Sequence, residues 1–106
     1  MRIATVKNTD GSFEIYFNQL GSWDDCTLIE HILVKENYFL VTEEKDMITD
    51  KDVTLKSGEI QFLLRHHYML GNFLYTENPN DVPILEQLAN NVIDSIKQKL
   101  KDKGLL

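Results

Sequence analysis

The sequence predicts an α+β domain: an antiparallel β-meander of five or six strands covered by one long C-terminal amphipathic helix. Three observations carry this. Short runs of alternating apolar and polar residues recur between turn residues. One helical stripe of apolar residues closes the chain. The 106 residues, 42% hydrophobic and 26% charged, suffice for one core and one domain over 1–106.

The elements follow in order. Phe13, Ile15 and Phe17 alternate with Glu14 and Tyr16, the period of a half-buried strand. Asp10-Gly11 suits a hairpin turn, because glycine takes positive φ without a steric penalty. Residues 2–8 and 12–18 are therefore expected to pair. Asn18 to Ser22 breaks the pattern.

Residues 23–35 admit two readings. Ser22 and Asp25 have the spacing of a capping box, and Trp23, Cys26, Ile29, Ile32 and Leu33 would share a helical stripe. Against this, Thr27 to Val34 is rich in branched residues and leads through Lys35-Glu36-Asn37 into Tyr38 to Thr42. That pattern reads as two strands around a three-residue turn, and the hairpin is the preferred expectation. Residues 43–52 show neither period and read as a charged loop. Val53 to Leu55 reads as a short edge strand before the Ser57-Gly58 turn. Ile60, Phe62 and Leu64 begin a strand that runs on towards Leu70, and Gly71-Asn72 suits a two-residue turn into Phe73 to Thr76.

The last element is the clearest. Asp81 can cap a helix, and Pro83 is tolerated in a first turn. Leu85, Leu88, Ala89, Val92, Ile96 and Leu100 form one stripe. Lys97, Lys99, Lys101 and Lys103 lie at the negative end of the helix dipole, and Gly104 can end it. The expected rod is ~30 Å long, with one face to bury.

Most chemical signatures are missing. Met1 to Asn8 has no apolar h-region, and Cys26 has no second cysteine, so a cytoplasmic protein is expected. Four apolar residues in a row, Tyr38 to Val41, fall far short of a membrane span, so no membrane role is expected. Asp24 and Asp25 beside Cys26 would raise its thiol pKa, the wrong direction for a nucleophile. The acids of 43–52 lack the glycine and terminal glutamate of a calcium loop, and no metal or cofactor is expected. The four terminal lysines, diluted by Asp94 and Asp102, fit dipole complementation better than a nucleic-acid patch.

Histidine supplies the one enzymatic alternative. With a turn at Gly71-Asn72, His66 would lie opposite Glu77 and His67 opposite Thr76. A His66–Glu77 couple could serve acid–base hydrolysis, but an ordinary cross-strand charge pair is the preferred explanation, because catalysis needs more than two residues. His66 and His67 would point to opposite faces, so they would not share a metal. The reading adopted is that the chain is not an enzyme.

Charge is the most informative feature. The chain carries a net charge of -6. Residues 10–59 hold 12 acids and four lysines, a balance of -8, while 94–106 hold four lysines and two aspartates, a balance of +2. A general polyanion binder is excluded, because it needs clustered cations. The acids gather at Trp23-Asp24-Asp25 and at Glu43, Glu44, Asp46, Asp50 and Asp52. Acids steer a basic protein partner, and Trp23 is the candidate anchor.

A small, acidic α+β chain with one cysteine and no catalytic motif resembles the immunity proteins of bacterial toxin–immunity systems, including contact-dependent growth inhibition. The resemblance lies in overall character across the chain. It implies a stoichiometric inhibitor of a cognate toxin, often a basic nuclease domain, with no direct contact to nucleic acid. The protein is then expected as a monomer or weak homodimer. A self-associating regulatory or structural module, pairing through an exposed sheet edge, is the other alternative.

Overall fold

The first hairpin forms as its alternation dictates. In the computed structural model, which describes all residues Met1–Leu106, β1 (Arg2–Lys7) pairs antiparallel with β2 (Phe13–Asn18), Ile3 opposite Phe17. Gly11 takes φ 89° in the connecting loop. The Asp10 carboxylate accepts hydrogen bonds from the Ser12 hydroxyl and amide at 2.6 and 2.9 Å, which hold it below the usual carboxylate range.

The region after β2 corrects the sequence reading. Trp23–Asn37 is a helix, α1, and not the first arm of a hairpin. The Ser22 hydroxyl accepts from the Asp25 amide at 3.0 Å, and the Asp25 carboxylate accepts from the Ser22 amide at 3.1 Å. This capping box starts the helix. Cys26, Ile29, Ile32 and Leu33 bury its stripe, and that burial outweighs the strand preference of the branched residues. Tyr38 ends the helix in the left-handed region at φ 61°, while the Phe39 amide donates to Leu33 O at 3.1 Å.

Four strands follow: β3 (Leu40–Asp46), β4 (Lys51–Ser57), β5 (Ile60–His67) and β6 (Gly71–Thr76). The expected charged loop over 43–52 is therefore mostly strand, with only residues 47–50 in the connection. β3 is a sheet edge with every residue exposed, so it needs no apolar alternation. Val53 to Leu55 lies in β4, which is paired on both sides and is not an edge.

The β5–β6 turn comprises Tyr68, Met69 and Leu70, so Gly71-Asn72 is not a two-residue turn. Gly71, at φ 88°, opens β6 opposite His67, and Asn72 faces His66. The expected His66–Glu77 and His67–Thr76 pairs do not exist in this register.

All pairs are antiparallel, in the order β1-β2-β6-β5-β4-β3. The meander is thus limited to β3–β6. The β1–β2 hairpin joins it on the β6 side, and α1 carries the chain across to the far edge.

The C-terminal helix matches its periodicity. A 3₁₀ turn at Pro79–Asp81 leads into α2 (Val82–Asp102), which buries Leu85, Leu88, Ala89, Val92, Ile93 and Ile96. Asp81 makes no side-chain cap; Asn78, one turn earlier, accepts from the Asn80 amide at 3.0 Å. Gly104, beyond the helix end, takes φ 73°. Two helices, not one, cover the sheet. Glu36 of α1 ties them together, accepting from the Ser95 hydroxyl at 2.7 Å and the Lys99 ammonium at 2.9 Å.

Asn72 fastens the crossover. Its side chain, 1% exposed, donates to Leu20 O at 2.7 Å and Ser22 O at 2.9 Å, and its Oδ1 lies 2.8 Å from His66 Nδ1. Asn72→Ala strands the Leu20 carbonyl and leaves the buried His66 without its partner, while Ser22 O keeps the Cys26 amide at 3.1 Å. We expect it to lower unfolding free energy in urea by roughly 2–3 kcal/mol. A loss below about 1 kcal/mol would show that these bonds do not hold the crossover.

Candidate protein-docking face

The pairing register sorts the strand residues onto two faces. Ile15, Phe17, Val53, Leu55, Phe62, Leu64 and Leu74 point into the core beneath the helices. Their neighbours point to the opposite face, which no helix covers. Two rows cross it. One runs Ala4, Tyr16, Phe73, Arg65, Asp52, Lys45. The next runs Val6, Glu14, Tyr75, Leu63, Thr54, Glu43.

The centre of this face is aromatic. The Tyr16 and Phe73 rings lie 4.8 Å apart, and the Arg65 guanidinium lies 4.2 Å from the Tyr75 ring. The rims are acidic. The Tyr16 hydroxyl donates to Glu14 at 3.2 Å, and the Tyr75 hydroxyl donates to Glu77 at 3.1 Å. Partial burial and the Glu14 charge push the Tyr16 phenol up from its usual value. Arg65 is committed to Asp52 at 3.3 Å, and Lys45 to Glu43 at 3.3 Å. Glu14 and Glu77 have no cationic partner. A shallow concavity of about 410 Å³, lined by Glu43, Thr54, Gln61, Leu63, Tyr75 and Glu77 among others, runs along one flank.

The eight residues singled out from the sequence divide among this face, the end of the sheet and the helix side. Glu43 and Asp52 stand on the uncovered face. Asp24 is exposed at the start of α1, while Asp25 belongs to the capping box. Asp50 accepts from the Tyr68 amide at 3.1 Å and so joins the β3–β4 and β5–β6 connections. Asp46 closes β3 opposite Lys51.

Trp23 and Glu44 face the helix side, where an internal polar cluster takes them up. The Lys51 ammonium lies 2.7 Å from Glu44, 3.6 Å from Glu30 and 5.6 Å from the Trp23 ring. Trp23 also meets His66 edge-on, with centroids 5.4 Å apart. Half-buried between these two groups, Trp23 acts as a lid on the cluster.

No protein-family model, curated protein or solved structure matches this chain. The geometry must therefore carry the functional reading alone. Burial pushes the Cys26 thiol up to about 12, assisted by Glu30 and Glu44 and opposed by Lys51, so it is a poor nucleophile. No three His, Cys, Asp or Glu side chains converge as a metal set. No helix is long and apolar enough to cross a membrane.

Sequence reasoning missed the aromatic face. The available signal lay in β6, where Phe73, Leu74 and Tyr75 are apolar on both phases. One phase fills the core, and the other is left to the open side.

Glu30 gives the internal cluster a pH signature. Burial, then the Glu44 charge, raise its carboxyl above the ordinary 4.5, with Lys51 only partly offsetting them. One buried carboxylate oxygen has no hydrogen-bond donor. The folded state therefore holds this proton more tightly than the unfolded chain does. Ionising Glu30 lowers stability as pH rises from 4.5 through its raised value. Lys51 is also shifted, upward: burial alone would lower it, but the Glu44 hydrogen bond and the two carboxylate charges outweigh that. It therefore stays charged throughout this window. Glu30→Gln should match the parent below 4.5 and exceed it in unfolding free energy near neutral pH. Denaturant titrations at both ends check this; a difference that does not change with pH would contradict it.

Proposed function

We propose that this chain is an immunity-type protein, a stoichiometric inhibitor that docks a basic nuclease toxin domain on its uncovered sheet face. The supporting observation is that face itself: an aromatic centre flanked by carboxylates, two of which lack cationic partners. Such a surface suits a protein partner with exposed Lys and Arg. Carboxylates accelerate encounter with the cationic groove of a nuclease. Tyr16, Tyr75 and Leu63, each partly exposed, supply apolar contact once water is expelled, and the buried Phe73 ring supports Tyr16. Inhibition follows from occupying the groove that would hold nucleic acid, so no chemistry is required of the inhibitor.

A single copy suffices for this task. The β3 edge is irregular between Val41 and Glu43 and carries Glu43, Glu44 and Asp46, features that discourage strand pairing with a second copy. The lone reduced cysteine fits action in the cytoplasm, where a cell would need protection from a nuclease.

Co-expression tests the proposal. The basic domain encoded in the adjacent reading frame should arrest growth alone and be neutralised when this chain is made with it. The triple variant Glu14→Lys, Glu43→Lys, Glu77→Lys should slow association roughly tenfold or more at low salt and weaken protection. Arrest that this chain does not relieve, or association rates unchanged by the variant, would overturn the proposal.

A further inference from the structure

Of the twelve large apolar residues that stand exposed, five gather at one end of the sheet. Met47 and Ile48 occupy the β3–β4 turn, and Tyr68, Met69 and Leu70 the β5–β6 turn. Antiparallel pairing brings both turns to the same end of the sheet. Ile48 is 100% exposed, Met69 72% and Tyr68 63%. Five large apolar side chains thus stand together in water, where single exposed ones would need no explanation.

The turns that display them are held in place. The Met47 amide donates to Asp50 O at 2.8 Å, closing the first turn. The Leu70 amide donates to His67 O at 3.2 Å and the Met69 amide to His67 Nδ1 at 3.1 Å, fixing the second. The Asp50 carboxylate joins the two through the Tyr68 amide. Ordered turns lose less entropy on binding than floppy ones.

The surroundings say what kind of partner fits. Asp24, Asp46, Asp50 and Asp52 lie around this end, and a cavity of about 300 Å³ running from Met47 to Leu70 reaches Glu14, Asp50 and Asp52. The nearby cations are committed: Lys51 to Glu44, Arg65 to Asp52. An apolar knob in an acidic collar repels anionic lipid and a second copy of this acidic chain. It complements an apolar surface bordered by Lys and Arg. A neutral apolar groove between Phe39 and the start of α2, lined by Pro83, Ile84, Gln87 and Leu88, has no such collar to select an occupant.

We infer that the paired hairpin tips, Met47-Ile48 and Tyr68-Met69-Leu70, form an apolar anchor that inserts into a cationic amphipathic segment of a protein partner. The inference deepens the docking reading above and rests on it: the sheet face steers, and the tips hold. Methionine suits this role, because its flexible, polarizable chain adapts to irregular apolar surfaces.

The test uses the intact protein, with methyl groups and amides labelled for NMR, and synthetic helices as probes. A Lys/Leu amphipathic helix should shift the Met47, Ile48 and Met69 methyls together with the Glu14 and Tyr75 amides. A Lys/Ser helix of equal charge should shift only the sheet-face amides, and a Glu/Leu helix neither set. Ile48→Ser with Met69→Ser, both at exposed positions, should weaken the Lys/Leu helix roughly tenfold or more while leaving the Lys/Ser response unchanged. Tip methyls that stay still, or a double variant that binds the Lys/Leu helix as tightly, would overturn the anchor. Shifts of the same methyls on dilution, or with phosphatidylcholine vesicles alone, would also overturn it, assigning the tips to a second copy or to lipid. Failure of the Lys/Ser helix to perturb the sheet face counts against the docking reading instead, so the two failures are separable.

Discussion

The fold depends on one side chain fastening the chain where it changes direction. β2 ends on the wrong side of the sheet for β3, its successor among the strands: β1 and β2 sit against β6, while β3 lies at the opposite edge. The chain must cross the helix face to reach it, and α1 makes the crossing. Asn72 holds its starting point by donating both amide hydrogens, one to Leu20 O and one to Ser22 O. Gly71 brings the backbones still closer. A Cβ there would lie 3.2 Å from the Gly21 Cα, and the φ of 88° already disfavours a side chain. Two adjacent residues of β6 thus set where α1 begins, and the rest of the helix layer follows from that point.

This arrangement forces both helices onto one face. α1 spans the sheet above β5, and α2 packs against β1, β2 and β6. Nothing is left to cover the opposite side, so the outward phases of β2, β5 and β6 must tolerate water or await a partner. Polar cross-links help them tolerate it. Arg65 stacks on Tyr75 and pairs with Asp52, and both tyrosine hydroxyls find carboxylates. These links keep the aromatic centre from being greasy, with Tyr16 and Tyr75 partly exposed around the buried Phe73. The internal cluster does the reverse. It removes Lys51 from the surface, with side-chain exposure of 9%, and commits it to Glu44. The acidic end of the molecule consequently has no free cation to soften its field.

The sequence showed each feature whose cause is local. Asp10-Gly11 and the Phe13-Ile15-Phe17 alternation sufficed for the first hairpin, and the long stripe from Leu85 sufficed for α2. Where tertiary burial decides, the reading failed. Ile29, Ile32 and Leu33 look like strand residues until a sheet lies beneath them, and the capping box at Ser22 was the better local guide. Glu43 to Asp46 looks like loop because an edge strand need not alternate. Gly71-Asn72 has turn chemistry, yet its glycine serves a close approach and its asparagine a buried junction. That one misplacement moved the partner of His66 from Asn72 to Glu77. The acidic character of the candidate site was legible, because charge is written residue by residue. Its aromatic centre and the apolar tips were not, because they exist only once the register of six strands is set.

Charge and apolar contact divide the work in a way the register makes explicit. Long-range attraction depends on net field, and Glu14, Glu43, Asp50, Asp52 and Glu77 supply it over the open face and the adjoining end. Such exposed charges add little affinity once docked, since water screens them and rim pairs contribute at most about 1 kcal/mol each. Durable binding therefore needs apolar groups that lose water on contact. Trp23, the obvious candidate by residue type, is already engaged by Lys51 and His66, so withdrawing it would uncover a buried ammonium. Apolar groups stand free at the hairpin tips, at Tyr38 and Leu40 and at the terminal Leu105 and Leu106, with Tyr16 and Tyr75 partly free on the open sheet. The acidic surroundings of the tips keep the exposed apolar cluster from meeting a second copy of this acidic chain, and under the proposed docking the same carboxylates would select a cationic partner.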